Sequence, residues 1–310
     1  MPDNIRMGSP VLRVKNIEKV SAFYERFGLQ IKRKYQNEKG DILFELGFRH
    51  GTNDHADRLQ PLVILHHDSN AKYAPRHSAG LFHFAILVPD RKSLASTYLV
   101  LRDSGVEYDG FADHLVSESL YLRDPENNGI EIYRDRPSKE WPRDSEGHIM
   151  MDTLPLDLDA LVTEELNQEE RDNAKAFPRG ARIGHVHLRV TNLERSIKFY
   201  HEKLGLDITV NWSTMGAAFL SAGGYHHHIG MNTWNSLNGE AHINAEAGLE
   251  YFTITMTDKS YLNKVWSIIY DSVAPKQQKK HSEEEEKEVN NKNQILINDP
   301  DGIQILIKSE

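Results

Sequence analysis

His83 opens the apolar run His83-Phe84-Ala85-Ile86-Leu87-Val88, and Glu131 lies late in the run Asp124-Pro125-Glu126-Asn127-Asn128-Gly129-Ile130-Glu131. His114 and Tyr121 fall between them, and His185 and the triplet His226-His227-His228 come further on. One segment therefore offers a strand-borne imidazole, a strand-borne carboxylate and two more proton-handling groups. Two histidines and one carboxylate that leave coordination positions open form a donor set for non-haem Fe(II) and oxygen chemistry. The chain has no Cys. Thiolate sites, disulfides and cysteine nucleophiles are excluded, and any metal must be held through nitrogen and oxygen.

An internal repeat supplies the elements that would position these groups. Val11-Leu12-Arg13-Val14-Lys15-Asn16-Ile17-Glu18 recurs as His187-Leu188-Arg189-Val190-Thr191-Asn192-Leu193-Glu194. Phe23-Tyr24 recurs as Phe199-Tyr200, and Gly28-Leu29 as Gly205-Leu206. Each copy reads as a strand, an Asn that caps a helix, a short amphipathic helix and a glycine that ends it. Alternating apolar stretches follow, Ile42 to Leu46 with Leu62 to Leu65 and Ala217 to Leu220 with His228 to Met231, and read as hairpin strands. The unit is βαβββ. A weaker copy begins at His83, has a helix near Arg91 to Ser104 and ends at Glu131-Ile132-Tyr133. Another begins at Tyr251, has a helix near Lys259 to Ser272 and ends at Ile303-Gln304-Ile305-Leu306. Both reach their last strand through Asp-Pro, at Asp124-Pro125 and Asp299-Pro300.

The sequence thus predicts an α+β chain of four βαβββ units, two in residues 1–135 and two in 181–310. Residues 136–180, polar and punctuated by prolines, read as a linker with a helix from Leu158 to Glu170. Residues 275–293, with Lys276-Gln277-Gln278-Lys279-Lys280 and Glu283-Glu284-Glu285-Glu286, read as a solvated insertion between helix and strand. Hydrophobic residues at 39% and charged residues at 27% are ordinary for a globular chain, and 310 residues suit two domains. A net charge of -9 without a basic stripe argues against a nucleic-acid partner. No apolar run is long enough to span a bilayer, and Met1-Pro2-Asp3-Asn4-Ile5-Arg6 lacks an apolar signal core. No membrane partner is expected, and the cytoplasm is the expected compartment.

On these motifs the chain resembles the vicinal oxygen chelate superfamily, and within it the two-domain extradiol (catechol 2,3-) dioxygenases. The resemblance covers nearly all of the chain apart from the linker and the charged insertion. It implies a glyoxalase-like fold in which the four βαβββ units form two curved mixed sheets or half-barrels. In such proteins a unit can offer one ligand from the front of its first strand and a Glu from its last strand after Asp-Pro. Carried over unit by unit, the first-strand positions are Ser9, His83, His185 and Tyr251, and the last-strand positions after Asp-Pro are Glu131 and Leu306. The resemblance therefore implies His83, His185 and Glu131 as ligands of Fe(II), a set that Mn(II) also accepts. It implies His114 and Tyr121 as groups that hydrogen-bond the substrate, and a base within Gly224-Tyr225-His226-His227-His228-Ile229. Alignment puts that base at His227, with His226 and His228 one step away. The implied reaction opens a small catechol-type diol with O2, next to rather than between the hydroxyl carbons.

The chain departs from the commonest arrangement of that family, in which the last two units carry the iron. Leu306 cannot ligate a metal and Ser9 is a poor ligand, so pairing one-with-two and three-with-four completes no site. Unit two must face unit three, within one chain or between copies that exchange units, and a homo-oligomer is compatible with either. Two other functions compete: a glyoxalase-like isomerase or lyase that uses Zn, Ni or Mn without oxygen, and a non-catalytic protein that binds an aromatic ligand. Each signal taken singly also has a bland reading. A strand His is usually a half-exposed side chain, Asp-Pro-x-x-Asn-Gly is turn chemistry, and Tyr121 could be a core aromatic. Their joint occurrence at matching repeat positions is what carries the site. His187, one alternation past His185, could also point inward, but the pattern favours His185 as the ligand; Trp212, Met231, Asn232 and Trp234 are candidate pocket walls.

Overall fold

The computed structural model describes residues 5–26, 28–48, 61–174, 178–257, 261–263, 265, 267–268 and 293–310. Residues 275–292 of the charged insertion and most of the helix expected over Lys259 to Ser272 lie outside them. The first unit contains β1 (Ile5–Met7), β2 (Val11–Val14), α1 (Ile17–Arg26), β3 (Gln30–Gln36), β4 (Ile42–Gly47), β5 (Val63–His67) and a short β6 (Lys72–Tyr73). The second contains β7 (Gly80–Leu87), α2 (Arg91–Asp103), β8 (Tyr108–Asp113), β9 (Ser117–Arg123) and β10 (Gly129–Asp135). The linker carries α3 (Leu158–Glu165) and α4 (Gln168–Asp172). The third unit contains β11 (Arg182–Arg189), α5 (Leu193–Lys198) with a π-helical turn at Phe199–Lys203, β12 (Asp207–Trp212), β13 (Ala217–Ser221) and β14 (Ile229–Asn232). The fourth contributes β15 (Glu246–Met256), β16 (Gln294–Asn298) and β17 (Gln304–Ser309).

The chain folds into two mixed sheets, and both cut across the sequence halves. One runs β16-β17-β15-β2-β5-β4-β3, with β1 and β6 also pairing β15, and so joins unit one to unit four. The other runs β12-β13-β14-β11-β7-β10-β9-β8 and joins unit two to unit three through the antiparallel pair β7 and β11. The facing of these two units, which the ligand count required, is thus achieved within one chain. The boundaries 1–135, 136–180 and 181–310 divide the sequence but not the sheets.

The repeat motifs serve as fasteners. Asn16 Oδ1 accepts from Lys19 N and Asn192 Oδ1 from Arg195 N, capping α1 and α5. The two Asp-Pro turns dock on these helices in the same way. Tyr24 of α1 donates to Asp124 at 3.4 Å, and Tyr200 donates to Asp299 at 3.0 Å. Two residues further along each turn, Glu126 accepts from the backbone of Lys15 and Asn16, and Asp301 from the backbone of Thr191. Carboxylates there complement the positive helix N-termini. The expected single helix from Leu158 to Glu170 is instead two. Asn167 and Glu170 form a capping box, each side chain bonded to the other's backbone N–H, and this starts a new helix where the first would have continued.

Burial pushes Asp124 and Asp299 each up to about 6, despite backbone donors that favour the charged form. A carboxyl whose folded pKa is raised binds its proton more tightly folded than unfolded, so its contribution is full at low pH and is lost as pH rises through the folded value. We therefore expect wild-type stability to fall relative to Asp124→Asn between about pH 4 and pH 6.5, by up to about 3 kcal/mol. Urea melts of both proteins across that range check it.

Among the described residues no helix is long and apolar enough to cross a membrane. One continuous buried core reaches both sheets, from Leu12, Leu46 and Phe252 to Phe84, Leu120 and Leu188.

Candidate metal centre and active site

Register shows which repeat position can present a carboxylate. Glu131 on β10 lies opposite Ala85, two residues after His83. At the equivalent register β5 has Ile64 opposite Val11, two after Ser9, β14 has Gly230 opposite His187, two after His185, and β17 has Leu306 opposite Thr253, two after Tyr251. Only unit two presents a carboxylate. Ser9 is engaged elsewhere, donating to the Pro61 carbonyl.

Strand alternation then collects Tyr121, Glu131, His83, His185 and His187 on the inward face of the second sheet. Tyr121 pairs with Glu131 across β9 and β10, and His83 with His187 across β7 and β11. Two β-bulges bracket this seam: Gly184 is the extra residue between Ile183 and His185, and Phe82 is skipped between His187 and Leu188. The first lets the Tyr133 hydroxyl cross β11 beside His185, because a Cβ on Gly184 would sit 1.8 Å from it. The second turns Phe82 into the cavity, where its ring lies 5.3 Å from His83, 5.1 Å from His187 and 5.4 Å from Trp234.

His83 Nε2 and His185 Nε2 each lie 2.9 Å from the same oxygen of Glu131. The second contact is a hydrogen bond, but His83 Nε2 is enclosed and lacks hydrogen-bonding geometry to any partner. The ligand atoms of all three residues lie within 4.8 Å of one another, and all three side chains are buried. A buried, unpartnered imidazole nitrogen converging with a second nitrogen on one carboxylate oxygen is what a shared cation would satisfy. The N,N,O donor set fits a divalent first-row metal. Ser119 Oγ donates to the other Glu131 oxygen at 2.7 Å and fixes its orientation. Burial alone would raise the Glu131 pKa, but His185 and His83 outweigh it and hold the carboxyl well below its ordinary range. Burial lowers His185, against the pull of Glu131.

A cavity of about 350 Å³ opens on this cluster, walled by Phe82, Leu122, Ile130, Trp212, Phe219 and Trp234. His83, Glu131, His114, Tyr121, His187 and His227 all reach it. His114 Nδ1 donates to the Asp152 carbonyl at 2.8 Å, so a neutral His114 accepts the Tyr121 hydroxyl at Nε2, 2.7 Å away. Burial and the nearby Glu131 carboxylate push the Tyr121 phenol well above its usual range and keep it a donor. His227 is buried, with its ring 4.1 Å from His185 and 4.9 Å from Phe219. Burial, then the neighbouring His185 and His226, hold it well below the imidazole range, so it is neutral at pH 7. His226 and His228 turn elsewhere: His226 bonds Asp135, and His228 bonds Ser221.

The sequence reading did not find every wall. Linker residues Met151 and Thr153 line the cavity, and the linker is pinned there by paired backbone bonds between Asp113 and Leu154. A backbone carbonyl such as that of Asp152 leaves no side-chain signal to read. Trp212 and Trp234 line the cavity as expected, but Met231 is fully buried on the opposite face of β14. Asn232 instead holds His187 Nε2 at 3.0 Å.

The family model of the Glyoxalase/Bleomycin resistance protein/Dioxygenase superfamily matches residues 6–132 and 182–261. The chain is 38% identical over 265 residues to a catechol-2,3-dioxygenase of Bacillus subtilis, covering 85% of this chain and 87% of that protein. A putative dioxygenase structure from Bacillus subtilis superposes with a TM-score of 0.60 at 12% identity, covering 100% of this chain and 86% of that one. Glyoxalase I from Zea mays superposes with a TM-score of 0.53 at 16% identity, covering 98% of this chain and 92% of that one. At those identities the two structures speak for the fold alone. From the matched segments and the 38% identity, the chain belongs to the glyoxalase/bleomycin resistance protein/dioxygenase superfamily, as a catechol 2,3-dioxygenase-like enzyme.

Proposed function

We propose that the chain is an extradiol ring-cleaving dioxygenase that opens a catechol-type diol with O2, with His83, His185 and Glu131 as the ligands of Fe(II). The observation that carries the reading is the convergence of those three side chains on one point, with His83 and Glu131 facing a cavity that His227 and the His114–Tyr121 pair also reach. Fe(II) held there would supply Lewis-acid polarisation of the diol oxygens and electronic contact between diol and dioxygen. The protein's own groups do the rest. Neutral His227 accepts a diol proton, as general base catalysis requires. The Tyr121 hydroxyl, its proton directed to His114, accepts a hydrogen bond from the diol hydroxyl on the other side of the ring. Phe82, Phe219, Trp212 and Trp234 clasp the aromatic ring and exclude water. These apolar walls favour catechol itself or catechols with small apolar substituents over strongly charged ones.

Anaerobic loading with Fe(II), followed by catechol and air, tests the proposal by oxygen uptake together with appearance of a yellow ring-opened product. Uptake with colour in equal proportion supports it. Tightly held iron without uptake, across catechol and its alkyl derivatives, would move the site to oxygen-independent isomerase or lyase chemistry. Mn(II) suits the same three donors, and parallel loading with it decides which metal sustains turnover.

A further inference from the structure

The triplet His226-His227-His228 contains more order than one base requires. Asp135, the last residue of β10, accepts from His226 Nε2 at 2.8 Å. His226 Nδ1 in turn lies 2.8 Å from His227 Nδ1. The Tyr225 hydroxyl donates to both oxygens of Asp135, at 3.2 and 3.0 Å, and in turn accepts from the Tyr133 hydroxyl at 2.8 Å. His226 is fully buried, with its ring 4.0 Å from that of Tyr225 and 5.3 Å from that of Trp141. Among the described residues His227 Nε2 has no hydrogen-bond partner, and His227 lines the cavity.

An ionised carboxylate can only accept, so the Nε2 of His226 that faces Asp135 carries the proton. A neutral imidazole with a proton on one nitrogen offers a lone pair on the other. His226 Nδ1 therefore accepts, and the proton between the two rings belongs to His227 Nδ1. We propose that Asp135 and His226 are positioning residues that hold His227 in its Nδ1–H tautomer and so present the Nε2 lone pair to the cavity. A chain of two imidazoles oriented by one carboxylate transmits the choice of tautomer over two residues, with Tyr225 and Tyr133 holding the carboxylate in place. When His227 takes a proton at Nε2, the resulting imidazolium keeps its Nδ1–H bond to His226, so no group must reorient. The kinetic consequence rests on the dioxygenase reading above, whereas the tautomer does not.

Two-dimensional ¹H–¹⁵N spectra of the histidine rings test this in the full-length protein, both metal-free and loaded with Zn(II) as a diamagnetic stand-in. His227→Gln assigns the signal. The expected result is a protonated Nδ1 and a bare Nε2 at His227 in the wild type. In Asp135→Asn the amide can donate to His226 Nε2, which reverses both rings and moves the His227 proton to Nε2. Asp135→Glu should keep the wild-type tautomer. In the Fe(II) enzyme Asp135→Asn should lower kcat by ~10²-fold or more at nearly constant KM and metal content, as loss of general base catalysis does, and Asp135→Glu should restore most of it. A wild-type His227 already protonated at Nε2, or a tautomer unchanged in Asp135→Asn, overturns the proposal. The wild-type spectrum alone decides the first point, so a variant that fails to fold does not rescue it. A wild-type Nδ1–H signal in a protein that never consumes oxygen would uphold the relay and sink the dioxygenase reading instead.

Discussion

Glu131→Gln is expected to abolish metal retention and activity while leaving the fold intact. The Glu131 carboxylate is the only anionic group among the three converging side chains, and both imidazoles approach the same oxygen of it. Replacing it with an amide removes the charge that offsets a divalent cation. Changes to groups that merely orient a ligand already cost ~10–100-fold in metal affinity or activity, and loss of a ligand should cost more. Folding should survive, because an amide oxygen can still accept from His185 Nε2 or Ser119 Oγ. Glu131→Ala would differ: it would leave His185 Nε2 and Ser119 Oγ buried without partners, a penalty of about 1–3 kcal/mol each. Metal content after Fe(II) loading and desalting, with thermal melts of the metal-free proteins beside it, separates the two effects. Iron retained in Glu131→Gln at wild-type stoichiometry would move the metal away from this cluster.

What the sequence made legible here follows from how locally each feature is encoded. The repeat could be read because Asn caps, glycine helix ends and Asp-Pro turns are specified by single residues. The grouping of His83, His185 and Glu131 came from the family resemblance, carried over by counting donors at matching repeat positions; strand register converts equal repeat positions into equal places in the sheet. That counting also paired unit two with unit three, and the β7–β11 seam has this pairing. The bulges at Gly184 and Phe82 were not legible. A bulge is decided by packing across the strand pair, here by the Tyr133 hydroxyl at Gly184 and by the aromatic contacts of Phe82. The linker's role at the cavity was hidden for another reason, because its decisive contact is the carbonyl of Asp152. The break between α3 and α4 was written plainly, as Asn167 followed three residues later by Glu170, but the polar run around it masked the capping box. Asp135 carried no motif at all. Its part emerges only when β10 and the turn before β14 come together in three dimensions.

The second large effect is expected from His227→Phe, which should keep the metal and lose turnover. His227 reaches the cavity without joining the cluster of three ligand atoms, so the substitution leaves all metal donors in place. Phe is close in shape to His and can occupy the same slot against His185 and Phe219. The substitution leaves His226 Nδ1 without its partner in a buried setting, which should lower stability by about 1–3 kcal/mol. That loss is small beside the kinetic one. Removing a positioned base costs ~10²–10⁴-fold in kcat, and KM should move little if the diol is held chiefly by the metal and the aromatic walls. The pattern to seek is therefore low kcat, near-normal KM and full iron content. The same substitution at His228, whose ring is tied to Ser221 away from the cavity, should cost stability and spare kcat. Full turnover in iron-loaded His227→Phe would remove His227 from the base role and shift it to the other proton-handling groups on the cavity wall, the His114–Tyr121 pair and His187.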